Sequence, residues 1–353
     1  MIFIYNSLFS LVLGLLLKSK LHIVKYKKMY IGICFFQMIL IQGLREITVG
    51  TDTSYYVGIY NNYKSSEYYS FLFTHFESGF KLLYNIFSGL KLDSQMMLFI
   101  VSAFTMIGFA VFIYNNSEDV VISTFIFTCL LYPNSFNILR QYLAMAIACN
   151  SFKYCREKQY TKAIVLIIAA SFFHTTAILF LIPIVFSVIK NWKLMRYCLI
   201  LCTVVFFLFG NIIITVSLEF LGKQFYLQGY NVNRIFRLTT FLTIVYAFLS
   251  WYFSNSKELK EEHKNTINIL ANVAFVNVLF GILYLKYEFV SRMIELLNLW
   301  LMISVPLWIE YSGKRYYKLF RYGVVVWFFL LMIIFVYNSE ANIAEYYFFF
   351  QKH

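Results

Sequence analysis

Five arginines at the edges of apolar runs are the residues of this chain whose chemistry stands out. They are Arg45, Arg140, Arg234, Arg237 and Arg292. Arginine keeps its charge in proteins, and its planar fork of N–H donors matches the oxygens of a phosphate or a carboxylate. Charges held near a membrane usually mark a substrate path. Each arginine alone could simply extend to lipid headgroups, but the five together predict an anionic ligand for at least two or three of them.

Two of these arginines lie in polar clusters that interrupt the apolar sequence. The first cluster is GLREITVGTDTSYY, which sets Arg45 and Asp52 beside glycine and threonines. The second is YPNSFNILRQYLAMAIA, in which Asn137 is predicted to cap a new helix. Arg140 then falls in the first turns of that helix, where unpaired N–H groups and the helix dipole suit a phosphate.

A histidine follows in the string SFFHTTAILFLIPI. A neutral imidazole can take the proton of a hydroxyl group, which makes His174 a candidate base. A lone histidine in an apolar segment is, however, more often a satisfied core residue. The surrounding segment, 163–189, is long for one membrane span and short for two. If it breaks near Ser171–His174 and returns to its own side, every basic loop lies inside. The alternatives are eleven spans, or ten spans plus this re-entrant pair. We therefore predict a broken helix with His174 at the break.

The composition identifies the class of protein. Of the 353 residues, 61% are hydrophobic and 13% are charged, against about 45–50% and about 25% in soluble domains. Several apolar runs approach the ~20 residues that a helix needs to cross a bilayer. Basic cytoplasmic loops explain the net charge of +13, so no nucleic acid partner is predicted. The cysteines and histidines show no metal-ligand spacing, and no metal or other cofactor is expected.

We predict an all-α, polytopic membrane protein of about 10–12 transmembrane helices in a single domain, residues 1–353. The apolar segments lie near residues 2–17, 29–44, 95–114, 119–132, 137–152, 163–189, 197–220, 238–254, 266–285, 292–310 and 322–338. Residues 18–28 hold five lysines and no acid, which places this loop in the cytoplasm and the loop 44–94 outside. Within that external loop, FESGFKLLYNIFSGLKLD has the spacing of an amphipathic helix, which either lies on the outer leaflet or packs on the bundle.

The motifs together resemble a known family. The strings GLR…VGTDTSYY, FNILRQYLAMAIA, SFFHTTAILFLIPI and FVSRMIELLNLW occur in this order over most of residues 40–300, and they resemble the EpsG-like branch of the Wzy-type polysaccharide polymerases. Arg45 and Asp52 occupy the positions of the arginine and the aspartate of the family's first motif. Arg140 and His174 match the arginine and the histidine of the second and third motifs. Arg292 matches the late arginine less well, because the tyrosine that usually follows it is missing here.

The resemblance implies a multi-pass protein of the bacterial cytoplasmic (inner) membrane. Such polymerases join oligosaccharide repeat units carried on undecaprenyl diphosphate into lipopolysaccharide O-antigen, capsule or exopolysaccharide, at the outer face of that membrane. The resemblance further implies a metal-independent glycosyltransferase in which arginines stabilise the departing diphosphate. His174 or Asp52 would be the base, and the diphosphate ligands would be Arg45, Arg140, Arg234, Arg237 and Arg292. Membrane lipid and a chain-length regulator protein are the further partners to expect.

Two other classes of protein would also use arginines near a membrane. A lipid-linked oligosaccharide flippase of the same pathway must hold the same diphosphate, but flippases usually have more helices, evenly distributed, and no long external loop. A membrane acyltransferase that decorates the polysaccharide typically carries its histidine and arginine in the first helix, and residues 2–17 contain neither. The loop 44–94 and the first helix therefore favour the polymerase.

Overall fold

The computed structural model of the chain describes residues 1–189, 191–220, 238–338 and 342–351. Helices dominate this part of the chain, and the β-type pairing within it is an isolated bridge between Arg45 and Phe348. Contacts divide the chain into two compact units, Met1–Phe180 with Tyr316–His353, and Leu181–Arg315. The all-α prediction is confirmed, while a single domain over residues 1–353 remains a prediction.

The helices follow the apolar runs of the sequence. In chain order they are α1 (Ile2–Leu17), α2 (Val24–Gly43), α3 (Thr53–Asn62), α4 (Glu67–Thr74), α5 (Ser78–Gly89), α6 (Ser94–Asn116), α7 (Val120–Ile126), α8 (Leu139–Ala148), α9 (Ser151–Arg156), α10 (Tyr160–Ser171), α11 (Leu181–Val188), α12 (Trp192–Phe220), α13 (Leu238–Ser254), α14 (Glu261–Tyr284), α15 (Ser291–Asn298), α16 (Leu301–Glu310) and α17 (Tyr317–Asn338). A π-helical turn at Phe127–Leu131 extends α7, and a 3-10 helix at Thr175–Phe180 precedes α11. Helices α11 to α16 belong to the second unit, and the others belong to the first.

Aspartate caps start two of these helices. The carboxylate of Asp93 accepts a hydrogen bond from the backbone N–H of Met96 at 2.7 Å, at the start of α6. The carboxylate of Asp119 accepts from the N–H groups of Val121 and Ile122 at 3.0 and 3.1 Å, at the start of α7. Each acid satisfies N–H groups of the first turn and places a negative charge at the positive end of the helix.

Within the described residues, five helical stretches are long and apolar enough to cross a membrane. They are Ile2–Lys20, Ser94–Asn116, Trp192–Gly210, Glu261–Tyr284 and Tyr317–Tyr337. A sixth results if Glu288–Asn298 and Leu301–Glu310, which are bent by 47° relative to each other, form one span. A multi-pass membrane protein is therefore confirmed. The count of 10–12 spans stays a prediction, because the other apolar helices of the described ranges do not meet the same criteria of length and hydropathy.

The predicted external loop, residues 44–94, is largely helical, because it contains α3, α4 and α5. The face of α5 that carries Phe80, Tyr84 and Phe87 is buried, in one apolar cluster with Met97 and Leu98 of α6. The amphipathic helix therefore packs on the bundle and does not lie on the outer leaflet, the other arrangement that its sequence allows.

The segment 163–189 is broken where the sequence predicts a break. Helix α10 ends at Ser171, and the 3-10 helix begins at Thr175. Between them, the carbonyl of Phe172 accepts a hydrogen bond from the backbone N–H of Gly79 in α5, at 2.8 Å. Irregular backbone in a membrane protein is tolerated where neighbouring protein groups satisfy it in this way.

Gly79 permits this contact because it has no side chain. A Cβ atom at this position would lie 2.8 Å from the carbonyl oxygen of Phe172 and 2.9 Å from its carbonyl carbon. Both distances are shorter than a normal van der Waals contact. The first turn of α5 therefore docks directly on the broken end of α10.

We expect Gly79→Ala to displace the first turn of α5, because the added methyl group meets backbone atoms that cannot rotate away. Overpacking of this kind costs about 1–3 kcal/mol, so the melting temperature of the purified protein in detergent should fall. The matched control is Gly89→Ala at the exposed end of the same helix, where nothing lies within 4 Å of the added atom. Equal melting temperatures for the two variants would contradict the docking contact.

Candidate functional site

The GTDT turn of the first motif packs against the segment that leads into α8. Gly50 has a φ of +91°, a conformation that favours glycine. A Cβ atom on Gly50 would lie 2.7 Å from Oδ1 of Asn137 and 3.2 Å from the carbonyl oxygen of Phe136. Glycine is thus needed both for its backbone conformation and for the close approach, and the two sequence motifs become neighbours.

Asn137 joins these two motifs. Its Oδ1 accepts hydrogen bonds from the backbone N–H of Asp52 and from the hydroxyl of Thr51, both at 3.4 Å. The N-cap position of α8 is Ile138 rather than the predicted Asn137. The Asn137 amide therefore holds Asp52, at the N-cap position of α3, against the segment that carries Arg140.

Arg45 is fully buried beneath the same turns. Its guanidinium donates to the carbonyl oxygens of Gln42, at 2.5 Å, and Phe136, at 3.2 Å, and its Nε lies 3.4 Å from the hydroxyl of Thr53. Burial lowers the pKa of this guanidinium to about 10. The donors of Arg45 are therefore used by backbone and hydroxyl oxygens. Through them Arg45 connects the end of α2 to Thr53 of the first motif and Phe136 of the second.

The last residues that the structure describes close over Arg45. The backbone N–H of Glu46 donates to the carbonyl of Tyr347 at 2.9 Å, and the N–H of Phe349 donates to the carbonyl of Leu44 at 3.0 Å. This short antiparallel pairing brings the C-terminal segment onto the start of the GTDT motif. The first motif is therefore held from two sides, by Asn137 and by the C-terminal segment.

A carboxylate joins Arg140 and His174, which come from different motifs. Glu77, the residue before α5, forms an ion pair with Arg140 through Oε2. Its other oxygen, Oε1, lies 3.0 Å from Nδ1 of His174. The side chains of Arg140, Glu77 and His174 are 19%, 16% and 13% exposed. These three residues, the Glu77 cluster, are therefore held by the fold and still open to a ligand.

Arg140 is further positioned by aromatic residues. Its guanidinium carbon lies 4.3 Å from the centroid of the Phe76 ring, an arrangement that favours a cation. The side chain of Tyr56 also interacts with it. The Nε atom is buried and makes no hydrogen bond within the part of the chain that the structure describes. Arg140 thus keeps a donor that its present partners do not use.

The charge of Glu77 follows from its neighbours. Burial raises the pKa of its carboxyl, but the contact with His174 and the charge of Arg140 outweigh burial and lower the pKa to about 2. The ordinary value is 4.5, so Glu77 is ionised at neutral pH. Because the folded-state pKa is depressed, the stability that these contacts contribute is present above pH 4.5 and is lost as the pH falls towards 2.

The remaining predicted site residues lie elsewhere. Arg292 is on α15 in the second unit, with an exposed side chain. Arg234 and Arg237 fall outside the described residues. That these three arginines bind a diphosphate therefore stays a prediction.

Sequence analysis missed Glu77. It is the one acidic residue between Glu67 and Asp93, and Ser78 and Gly79 follow it at the start of α5. An isolated acid in an aromatic stretch, two residues before a glycine at a helix start, is the signal that marks this position. The position of its partner leaves no local pattern, because Arg140 is 63 positions away in the chain.

Comparison with known proteins gives a family match. The model of the EpsG family matches residues 28–350, a range that includes the GTDT turn and the Glu77 cluster. No curated protein and no solved structure matches the chain. The match covers nearly the whole chain, and several of its helices are able to cross a membrane. The chain therefore belongs to the EpsG family, as a multi-pass membrane protein whose family fits a role in polysaccharide biosynthesis.

Proposed function

We propose that this protein polymerises oligosaccharide repeat units carried on undecaprenyl diphosphate into a surface polysaccharide, either O-antigen or capsule and exopolysaccharide. The reaction takes place at the outer face of the bacterial cytoplasmic membrane. The observation that supports it is the Glu77 cluster, in which a cation and an imidazole from separate motifs contact one carboxylate. A glycosyl transfer from a lipid diphosphate needs both, a cation for the leaving group and a base for the acceptor.

Arg140 is the first candidate for the diphosphate ligand. Its side chain is partly exposed, and its Nε donor is unused. A fixed cation stabilises the charge that develops on the departing diphosphate, so the proposed chemistry needs no metal ion. Arg234, Arg237 and Arg292 remain further candidate ligands of the diphosphate. Arg45 has a different part in this proposal: its buried contacts make it a positioning residue for the GTDT turn.

His174 is the first candidate for the base. With Nδ1 facing Glu77, Nε2 is the ring nitrogen that can accept a proton. In the reaction, the oxygen of the acceptor hydroxyl bonds to the anomeric carbon of the donor chain. The bond from that carbon to the diphosphate breaks, and its electron pair goes to the diphosphate oxygen. The hydroxyl proton passes to the base, and Asp52 on the GTDT turn is the alternative that can receive it.

A flippase for the same lipid-linked oligosaccharide is the alternative function. It would use Arg140 for the same diphosphate, but it forms and breaks no glycosidic bond and so needs no base. Purified protein in lipid vesicles with undecaprenyl-diphosphate-linked repeat units separates the two. A ladder of longer oligosaccharides supports the polymerase, whereas transport of unchanged repeat units across the bilayer supports the flippase.

The external position of the GTDT turn is tested with a single cysteine at Ser54, an exposed residue of α3. The background lacks the six native cysteines, four of which are buried. We expect the cysteine to react with a membrane-impermeant thiol reagent in intact spheroplasts, because the lysine-rich segment 18–28 is predicted to be cytoplasmic. Labelling that needs permeabilised membranes would overturn this orientation.

Arg140→Lys keeps the charge but loses the fork of donors. Removing one transition-state donor typically costs ~10²–10³ in rate, so the rate of polymerisation by purified protein should fall by about this factor. Arg156→Lys is the matched control, because Arg156 bonds to Asn115 and Asn116 outside the cluster. If the Arg140 variant forms the oligosaccharide ladder as fast as the control does, Arg140 is not a diphosphate ligand.

Two substitutions of His174 separate a base from a structural residue. His174→Gln keeps much of the size but cannot take up the proton, so it should fold normally and lose about 10²–10⁴ in rate. His174→Ala also leaves a cavity, and a purely structural role would lower the protein's abundance in this variant alone. Polymerisation by purified His174→Gln at the wild-type rate would transfer the assignment of the base to Asp52.

A further inference from the structure

Glu77 has no role in the reaction as proposed so far, yet each of its carboxylate oxygens contacts a residue that has one. Oε2 forms an ion pair with Nη1 of Arg140, and Oε1 lies 3.0 Å from Nδ1 of His174. The same carboxylate therefore occupies a donor that the diphosphate needs and lies beside the ring nitrogen that orients the base, a nitrogen that makes no hydrogen bond within the described residues.

The backbone of Glu77 is firmly held. Phe76 before it and Phe80 after it are buried, and the N–H groups of Phe80 and Lys81 donate to the Glu77 carbonyl at 3.1 and 3.0 Å. Gly79 is bonded to the break after α10. Because the backbone is held, the carboxylate can change its partners only by rotation of the side chain.

A diphosphate competes with Glu77 for Arg140. The planar fork of arginine binds phosphate and carboxylate oxygens with the same donors. A diphosphate group carries more negative charge than a carboxylate, and it also repels Glu77. Binding of the diphosphate at Arg140 therefore leaves His174 as the remaining partner of the carboxylate.

The contact with His174 has its greatest effect during the reaction. When His174 takes the proton of the acceptor hydroxyl at Nε2, the imidazole becomes a cation. A carboxylate at Nδ1 stabilises that cation and holds the ring in the orientation that the transfer needs, as the aspartate of a Ser-His-Asp triad does.

We propose that Glu77 is a positioning residue that exchanges its shared contact with Arg140 and His174 for a contact with His174 alone, so that binding of the donor's diphosphate prepares the base. This inference rests on the proposed function for its second half, the preparation of the base. Its first half, the competition between Glu77 and a diphosphate for Arg140, is a binding property and holds for any reaction.

Glu77→Gln tests both halves, because it removes the charge and keeps the size of the side chain. The affinity of the purified full-length protein in nanodiscs for inorganic pyrophosphate, measured by calorimetry, should rise by about fivefold, the effect of one partly exposed ion pair. In polymerisation assays, KM for the lipid-linked donor should fall, while kcat should fall by about 10²-fold through loss of support for the base. A residue that only stabilises the fold would not lower KM and kcat in this combination.

The matched control is Glu67→Gln, an exposed acid in the same external segment, which should leave the pyrophosphate affinity, KM and kcat unchanged. Tighter pyrophosphate binding by the Glu77 variant without any polymerisation by the wild type would retain the exchange and reject the proposed function. Unchanged or weaker pyrophosphate binding by the Glu77 variant overturns the exchange, and so does a wild type that binds no pyrophosphate.

If Glu77→Gln does not fold, Glu77→Asp replaces it. The aspartate is one methylene shorter and cannot reach both partners from the same backbone position. The pyrophosphate affinity should then rise or kcat should fall, according to which contact is lost. Wild-type values of both quantities in this variant would overturn the proposal.

Discussion

The backbone hydrogen bond from Gly79 to Phe172 is the contact on which the candidate site depends. It joins the start of α5 to the broken end of α10. Glu77 lies two residues before this contact, and His174 lies two residues after it. A break in an apolar segment leaves carbonyl groups without partners, which is costly away from water. The N–H of Gly79 satisfies one of them, and the same contact brings together the two segments that carry the carboxylate and the imidazole.

Arg45 and Arg140 show why burial decides what an arginine can do. The donors of Arg45 end on backbone carbonyls and a hydroxyl, with no carboxylate at ion-pair distance among the residues described. Giving these donors to a ligand would leave buried oxygens unpaired, which costs about 1–3 kcal/mol for each group. Arg140 instead pairs with a carboxylate at a partly exposed edge. Arg140 is therefore accessible to a ligand from that edge.

The GTDT turn shows how a sequence motif can have a structural reason at each position. Gly50 is required because Asn137 and Phe136 lie where its side chain would be. Thr53 donates to the carbonyl of Val49 at 2.8 Å and closes the turn before α3. Asp52 keeps its backbone on Asn137 and has its side chain at the N-cap position. The motif therefore holds the backbone of Asp52 beside the segment that carries Arg140.

The sequence by itself determined the class of protein and the positions of most helices, and it singled out Arg140 and His174 as candidate site residues. These follow from local properties, because apolar runs form helices and a long apolar segment with a polar centre breaks. Only the tertiary structure decided that Arg45 is buried, that α5 packs on the bundle and that Glu77 stands between Arg140 and His174. The physical reason is that these contacts join residues far apart in the chain. Whether they meet depends on how whole helices pack. Gly79 permits that packing because it has no side chain to separate α5 from the end of α10.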